Sequence, residues 1–152
     1  MINSPAPDFT LPAWTADGAT TLTLSEQRGA PVVLAFYPAD NTPGCTKQLC
    51  SYQDDLAVLQ GFGAVLWGIS SQGVDSHRGF AEKRGLTFPL LADEDKAVHD
   101  LYGAKGLLGL PKRTVAVVDA EGLVRFHHAS QLGLTHQSTD TIARVLRELQ
   151  PR

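Results

Sequence analysis

An α/β fold, with a mixed sheet sandwiched between helices, is what this 152-residue sequence predicts. Three observations carry the prediction. Two continuous apolar runs, Pro31-Val32-Val33-Leu34-Ala35-Phe36-Tyr37 and Ala64-Val65-Leu66-Trp67-Gly68-Ile69-Ser70, read as strands covered on both faces. Helical patterns alternate with them. Further on, Thr114-Val115-Ala116-Val117-Val118 and Leu123-Val124-Arg125-Phe126-His127 flank Asp119-Ala120-Glu121-Gly122, a hairpin signal that closes the sheet with antiparallel strands.

The elements follow in chain order. Phe9-Thr10-Leu11 and Thr20-Thr21-Leu22-Thr23-Leu24 alternate in polarity around the turn Ala16-Asp17-Gly18, which predicts an N-terminal β-hairpin. After the central strand 31–37, a helix is expected from Pro43 to about Gln60, with Leu49, Leu56 and Leu59 among its apolar positions and Gly61 at its end. The second buried strand, 64–70, leads to a helix capped by Asp75 or Ser76 that runs to Arg84 and stops at Gly85. Asp95 to Tyr102 reads as a short helix, and Ser138 to Leu149 as a final amphipathic one. No linker, internal repeat or low-complexity tract divides the chain, so residues 1–152 are expected to form a single domain.

Composition narrows the function. Charged residues make up 19% of the chain and the formal net charge is -3, with no basic stripe and no run of like charges. Nucleic acid and anionic membrane surfaces are therefore not expected as partners. Met1-Ile2-Asn3-Ser4-Pro5-Ala6-Pro7 lacks the basic start and apolar core of a signal peptide, and no apolar run approaches the ~20 residues of a membrane span. A cytoplasmic location is the expectation. In that compartment a close cysteine pair is more often catalytic or metal-binding than a structural staple.

Cys45 and Cys50 are the only cysteines. Thr42-Pro43 makes a good helix opening, with a hydroxyl N-cap followed by proline at the first helical position. Cys45 then stands third in the helix, in the first turn, where unpaired N–H groups and the helix dipole favour a thiolate over a thiol. Moving a thiol to its anion by two to three pH units takes roughly 3–4 kcal/mol. A helix terminus supplies ~0.3–1 kcal/mol in ordinary settings. The terminus is too weak alone, and a cation must come from elsewhere in the fold.

The spacing adds a second constraint. Residues five apart on a helix are separated by ~7.5 Å along the axis, with Cα atoms about 8–9 Å apart. A disulfide needs Cα atoms within about 7 Å. On an intact helix the two cysteines cannot be joined without unwinding, which suits a pair that reacts after a local conformational change. Oxidation of Cys45 to a sulfenic acid, condensation with Cys50 and reduction of the disulfide by another thiol system would make a cycle.

Pro38-Ala39-Asp40-Asn41-Thr42-Pro43-Gly44-Cys45 resembles the peroxiredoxin motif of proline, threonine and peroxidatic cysteine, and the Thr-Pro-Gly-Cys form with Cys50 five residues on resembles the bacterioferritin-comigratory, or Q-type, subfamily. Ala6-Pro7-Asp8-Phe9, Gly68-Ile69-Ser70, Phe80-Ala81-Glu82-Lys83, Leu90-Leu91-Ala92-Asp93 and Arg113-Thr114-Val115-Ala116-Val117-Val118-Asp119 fall in family order. The resemblance implies a thioredoxin-like fold and a thiol-dependent peroxidase acting on hydrogen peroxide and organic hydroperoxides. It implies Cys45 as nucleophile, Cys50 as resolving cysteine, Thr42 as a hydrogen-bond partner of the peroxide, Pro38 as a shield for the sulfur and Arg113 as the missing cation. It further implies thioredoxin or glutaredoxin as reductant, a monomer, and no metal, flavin or haem. Ala39 departs from the pattern, because many relatives carry lysine there. The glycine-rich, apolar stretch Gly103 to Lys112 is expected to shape which hydroperoxides enter.

Plainer readings stand beside each of these. A cysteine near a helix start is by itself usually a small buried residue, Thr42 can act as an N-cap alone, and an arginine at a strand start is usually solvated or paired with a carboxylate. His77, His99, His127, His128 and His136 are scattered and have no ligand spacing to the cysteines, so a zinc site is not expected. Asp54-Asp55 and Asp93-Glu94-Asp95 read as solvated turns or helix starts, and Trp14 and Trp67 as packing residues. The stretch from Gly103 to Gly109 lacks the Gly-Lys-Ser/Thr ending of a phosphate loop. Two other functions stay open: a thioredoxin-type disulfide reductase, which normally has two residues between its cysteines instead of four, and a non-catalytic redox sensor.

Overall fold

Strand β3 (Val32–Phe36) shows why the central runs are continuously apolar. In a computed structural model that describes residues 1–130 and 137–150, Val33, Ala35 and Tyr37 point into one buried cluster and Val32, Leu34 and Phe36 into another. Period-two alternation sends successive side chains to opposite faces, and here both faces are covered. Around β3 run β1 (Thr10–Thr15), β2 (Gly18–Thr23), β4 (Val65–Ser70), β5 (Leu90–Ala92), β6 (Thr114–Val118) and β7 (Val124–Ala129) in the order β2-β1-β5-β4-β3-β6-β7. β3 pairs parallel with β4, and β4 with β5, whereas β6 is antiparallel to β3 and to β7, and β1 to β2 and β5. The sheet is mixed, with an N-terminal hairpin, as expected.

The helices are α1 (Pro43–Asp54), α2 (Leu56–Gln60), α3 (Val74–Arg84), α4 (Ala97–Leu101) and α5 (Thr139–Glu148). Leu49 and Tyr52 of α1, Leu59 of α2, Phe80 of α3 and Ile142 and Leu146 of α5 fill the cluster that also holds Cys45. Val98 of α4, together with Phe9, Leu11, Leu24 and Trp67, fills the other. No helix among the described residues is long and apolar enough to cross a membrane.

Several boundaries differ from expectation. The helix expected over 43–60 is broken at Asp55, whose backbone (φ -103°, ψ 12°) leaves the helical region. α3 starts two or three residues earlier than Asp75 or Ser76 would set, after Gly73, and its cap makes no side-chain hydrogen bond. Ser76 instead spends its hydroxyl on a buried carboxylate. The short helix begins at Ala97, because Asp93 accepts hydrogen bonds from the N–H groups of Val98 and His99 and sets the first turn there. Asp93 is accordingly buried and not solvated. β5 went unread: three residues are too few to show a period. Gly85 ends α3 at φ 68°, the left-handed conformation that glycine adopts without strain. Ser138 caps α5 by accepting from the Thr141 N–H at 3.2 Å. Trp14 and Trp67 both pack.

Candidate active site

Pro43 occupies the first position of α1 and Thr42 the N-cap, which puts Cys45 in the first turn as its spacing requires. The first intrahelical bond runs from the Thr46 N–H to the Thr42 carbonyl at 2.8 Å. The N–H groups of Gly44 and Cys45 therefore lie where no preceding turn can accept them. The Cys45 side chain is buried, with 1% of its surface exposed. Two donors meet its sulfur: the Ala39 N–H, at 3.5 Å from Sγ, and Nη2 of Arg113, also at 3.5 Å.

Arg113 reaches this point through sheet register. β6 lies antiparallel to β3 with Thr114 opposite Phe36, so the residue before Thr114 stands beside the end of β3, where the loop toward α1 leaves the sheet. A guanidinium 68 residues away in sequence is thus delivered to the sulfur. Gly44 makes room for it. A Cβ on residue 44 would come within 3.1 Å of Nη2 and push the guanidinium aside.

The guanidinium is held in turn. Its Nη1 donates to Oε1 of Gln48, a residue with none of its surface exposed. Gln48 Nε2 donates to the Tyr52 hydroxyl at 3.2 Å, and that hydroxyl donates to the Gln137 carbonyl at 2.7 Å. Burial pushes the Tyr52 phenol up to about 12, with Gln48 and Arg113 opposing the rise. The group stays a neutral donor throughout the physiological range. Cys45, Gln48, Leu49 and Tyr52 fall at i, i+3, i+4 and i+7, one face of α1. A glutamine on an otherwise buried stripe is the signal from which this supporting chain was legible, and it went unread.

The predicted residues divide into those brought to the sulfur and those set beside it. Cys45 and Arg113 are in contact. Cys50 lies on the same unbroken helix, half-buried against the cluster that contains Cys45, and both cysteines are free thiols. Pro38 is half-buried and directly precedes Ala39, the donor to the sulfur. Thr42 departs from the reading as a hydroxyl cap. Its Oγ1 bonds no backbone N–H of the helix and donates instead to the Ala39 carbonyl at 2.9 Å. With its proton engaged there, the exposed oxygen presents lone pairs outward.

Among the described residues no three His, Cys, Asp or Glu side chains gather as a metal-binding set. His127 Nε2 bonds the Tyr102 carbonyl at 2.6 Å, and His136 lies outside the described residues. The stretch 103–112 is a short excursion tied at its base by the Lys112 N–H to the Ala104 carbonyl (2.6 Å), with Leu107 and Leu108 almost wholly exposed at its tip.

A model of the AhpC/TSA family matches residues 2–127. The chloroplastic peroxiredoxin Q of Triticum aestivum is 44% identical over 127 residues, which are 82% of this chain and 57% of that protein. The chain thus spans less than three-fifths of the length of that plant relative. The putative peroxiredoxin bcp of Coxiella burnetii (strain RSA 493 / Nine Mile phase I) is 38% identical over 131 residues, 81% of this chain and 84% of that one. Among solved structures, peroxidoxin BcpB from Mycobacterium tuberculosis superposes with a TM-score of 0.85 at 35% identity, covering 99% of this chain and 98% of its own. The fold is the thioredoxin-like one that the motif implied.

Proposed function

The chain belongs to the AhpC/TSA family, and on that premise we propose that it is a thiol-dependent peroxidase in which Cys45 attacks a hydroperoxide and Cys50 resolves the product. The observation that carries the proposal is the Arg113 guanidinium 3.5 Å from a sulfur in the first turn of the helix that also carries Cys50. A permanently charged, multiply donating group there favours the thiolate and also faces the negative charge that develops on the peroxide oxygens.

In the first step a Cys45 sulfur lone pair attacks one oxygen of ROOH. An S–O bond forms as the O–O bond breaks, and the second oxygen leaves with a proton as ROH or water. The product is Cys45 sulfenic acid. Thr42 Oγ1, its own proton committed to Ala39, is suited to accept the hydrogen of the incoming hydroperoxide. The helix N–H groups and Arg113 flank the reacting oxygens, and Pro38 limits water at the sulfur.

The second step joins the Cys50 thiol to the sulfenic acid as a disulfide, with loss of water. It requires α1 to unwind, since Cα atoms five residues apart on a helix lie beyond the ~7 Å limit. Unwinding across 45–50 also withdraws Gln48 from Arg113. A dithiol of the thioredoxin or glutaredoxin class would return two electrons, with the protein acting as a monomer.

The test is hydrogen peroxide turnover coupled to thioredoxin, thioredoxin reductase and NADPH. The proposal expects NADPH oxidation that depends on peroxide and on both cysteines. Insulin reduction without peroxide would instead mark a disulfide reductase, and neither activity would leave a redox sensor.

A further inference from the structure

Beside the sulfur lies a buried polar cluster that the steps above do not use. Asp40, with 6% of its surface exposed, follows Ala39 in the loop between β3 and α1. Its Oδ1 accepts the Tyr37 hydroxyl at 2.6 Å, and its Oδ2 accepts the Ser76 hydroxyl and His77 Nδ1, each at 2.8 Å. His77 is wholly buried on α3, and its Nε2 lies 2.9 Å from the Leu91 carbonyl of β5.

What each partner can accept assigns the hydrogens. The Leu91 carbonyl only accepts, so Nε2 donates to it. Burial pushes the Asp40 carboxyl up, but the His77, Tyr37 and Ser76 hydrogen bonds outweigh it and hold the group below its ordinary value. Nδ1 bonds Oδ2 of that carboxylate at 2.8 Å. His77 therefore ties Asp40 to β5 with a hydrogen bond at each end of its ring. Burying such a pair is tolerable only when it is well hydrogen-bonded, and here both carboxylate oxygens and both ring nitrogens have partners.

The cluster acts on the peptide unit next to the sulfur. The plane between Ala39 and Asp40 is held on one edge by Thr42, which donates to the Ala39 carbonyl, and on the other by Gln72 Oε1, which accepts from the Asp40 N–H. The Asp40 side chain then fastens the same unit to α3 and β5. One peptide earlier, the Ala39 N–H points at Cys45 Sγ.

We propose that Asp40 and His77 are positioning residues that pin the loop 37–42 to α3 through the bond between their side chains and so keep the Ala39 N–H on the Cys45 sulfur. The consequence for rate rests on the peroxidase reading; the consequence for the loop does not.

Amide hydrogen exchange at Ala39 in the reduced protein, and stopped-flow oxidation of Cys45 by hydrogen peroxide, test this in Asp40→Asn, His77→Gln and His77→Asn. Asparagine places its amide nitrogen near the site of Nδ1, and glutamine near that of Nε2. The expected result is exchange at Ala39 about ten-fold faster in Asp40→Asn and His77→Gln, with oxidation about ten-fold slower in both, and His77→Asn within about two-fold of the unsubstituted protein. A merely structural histidine would not distinguish the two amides. Unchanged Ala39 exchange in His77→Gln, or equal acceleration in both His77 variants, would overturn the proposal, and this pair decides the matter even if Asp40→Asn does not fold. An unsubstituted protein inert to peroxide would sink the peroxidase reading while the exchange comparison still judged the pair.

Discussion

Cys45 and Cys50 share one helix, yet their surroundings give them opposite characters. Cys45 stands in the first turn, buried, with a backbone N–H and a guanidinium each 3.5 Å from its sulfur. Cys50 stands mid-helix, where the N–H groups are already used by the ladder, and packs half-buried against apolar side chains. The same side chain faces two donors in one place and is a small apolar filler in the other. On the proposed mechanism the two also need α1 in different states. Attack by Cys45 would use the wound first turn, whereas condensation with Cys50 would require that turn to open.

The sharpest way to break this contrast is to exchange the sulfurs' roles. Cys45→Ser is expected to abolish peroxide consumption, whereas Cys50→Ser should still yield one sulfenic acid per chain in a single turnover, read by trapping with a sulfenic-specific reagent. Peroxide turnover by Cys45→Ser would show that the wrong thiol carries the attack.

Next in size is the cation. Arg113→Lys keeps the charge but loses the planar fork that spans Cys45 and Gln48. A hydrogen bond to a charged group is worth about 1.5–3 kcal/mol, so oxidation of Cys45 should slow by roughly 10- to 100-fold. A stopped-flow rate equal to that of the unsubstituted protein would remove Arg113 from the mechanism.

A smaller effect should separate attack from resolution. Tyr52→Phe deletes the hydroxyl between Gln48 and the Gln137 carbonyl. Losing about 1 kcal/mol should lower the melting temperature by roughly 2–4 °C in a chain of this size. If α1 opening limits resolution, disulfide formation after a peroxide pulse should quicken while the attack rate holds. Slower disulfide formation would contradict the view that this chain restrains the helix.

The smallest expected effect is confined to acid. Asp40 and Asp93 are both pushed up by burial and brought net below the ordinary 3.8 by hydrogen bonds, from His77, Tyr37 and Ser76 in one case and from His99 and Val98 in the other. A carboxyl lowered on folding adds stability that is fully present above its unfolded value and is lost as pH falls through its folded value. Stability measured by unfolding should therefore fall as pH drops below 3.8, and Asp93→Asn should flatten that limb. An unaltered acid limb in Asp93→Asn would mean that Asp93 titrates alike in both states.

Much of this was readable from local chemistry. Apolar runs located β3 and β4, Asp119 to Gly122 located the last hairpin, and Thr42-Pro43, Gly85 and Ser138 located helix ends. Each depends on residues within a few positions of one another. Where a side chain had a better partner far away, local reading failed. Thr42 and Ser76 looked like caps, but their hydroxyls go to Ala39 and to Asp40, the latter 36 residues away. Asp93 read as a solvated turn or a helix start; it does set the start of α4, but it is buried and paired with His99 inside the fold. Gln48 showed only as a polar break in a buried stripe, and neither it nor His77 pointed to its partner, because Arg113 and Asp40 lie 65 and 37 residues away.

By itself the sequence determined the α/β class, the placement of Cys45 in a helix's first turn and the impossibility of bonding it to Cys50 without unwinding. The first follows from periodicity, the second from the Thr42-Pro43 helix opening and the third from helix dimensions. Arg113 was reached through family resemblance, and its contact with the sulfur was decided by the antiparallel register of β6 on β3. Tertiary structure also decided how that cation and the neighbouring loop are held, through Gln48 and Tyr52 on one side and Asp40 and His77 on the other. The physical reason is that a buried polar group must find its partner across space, and chain periodicity says nothing about which distant donor will arrive.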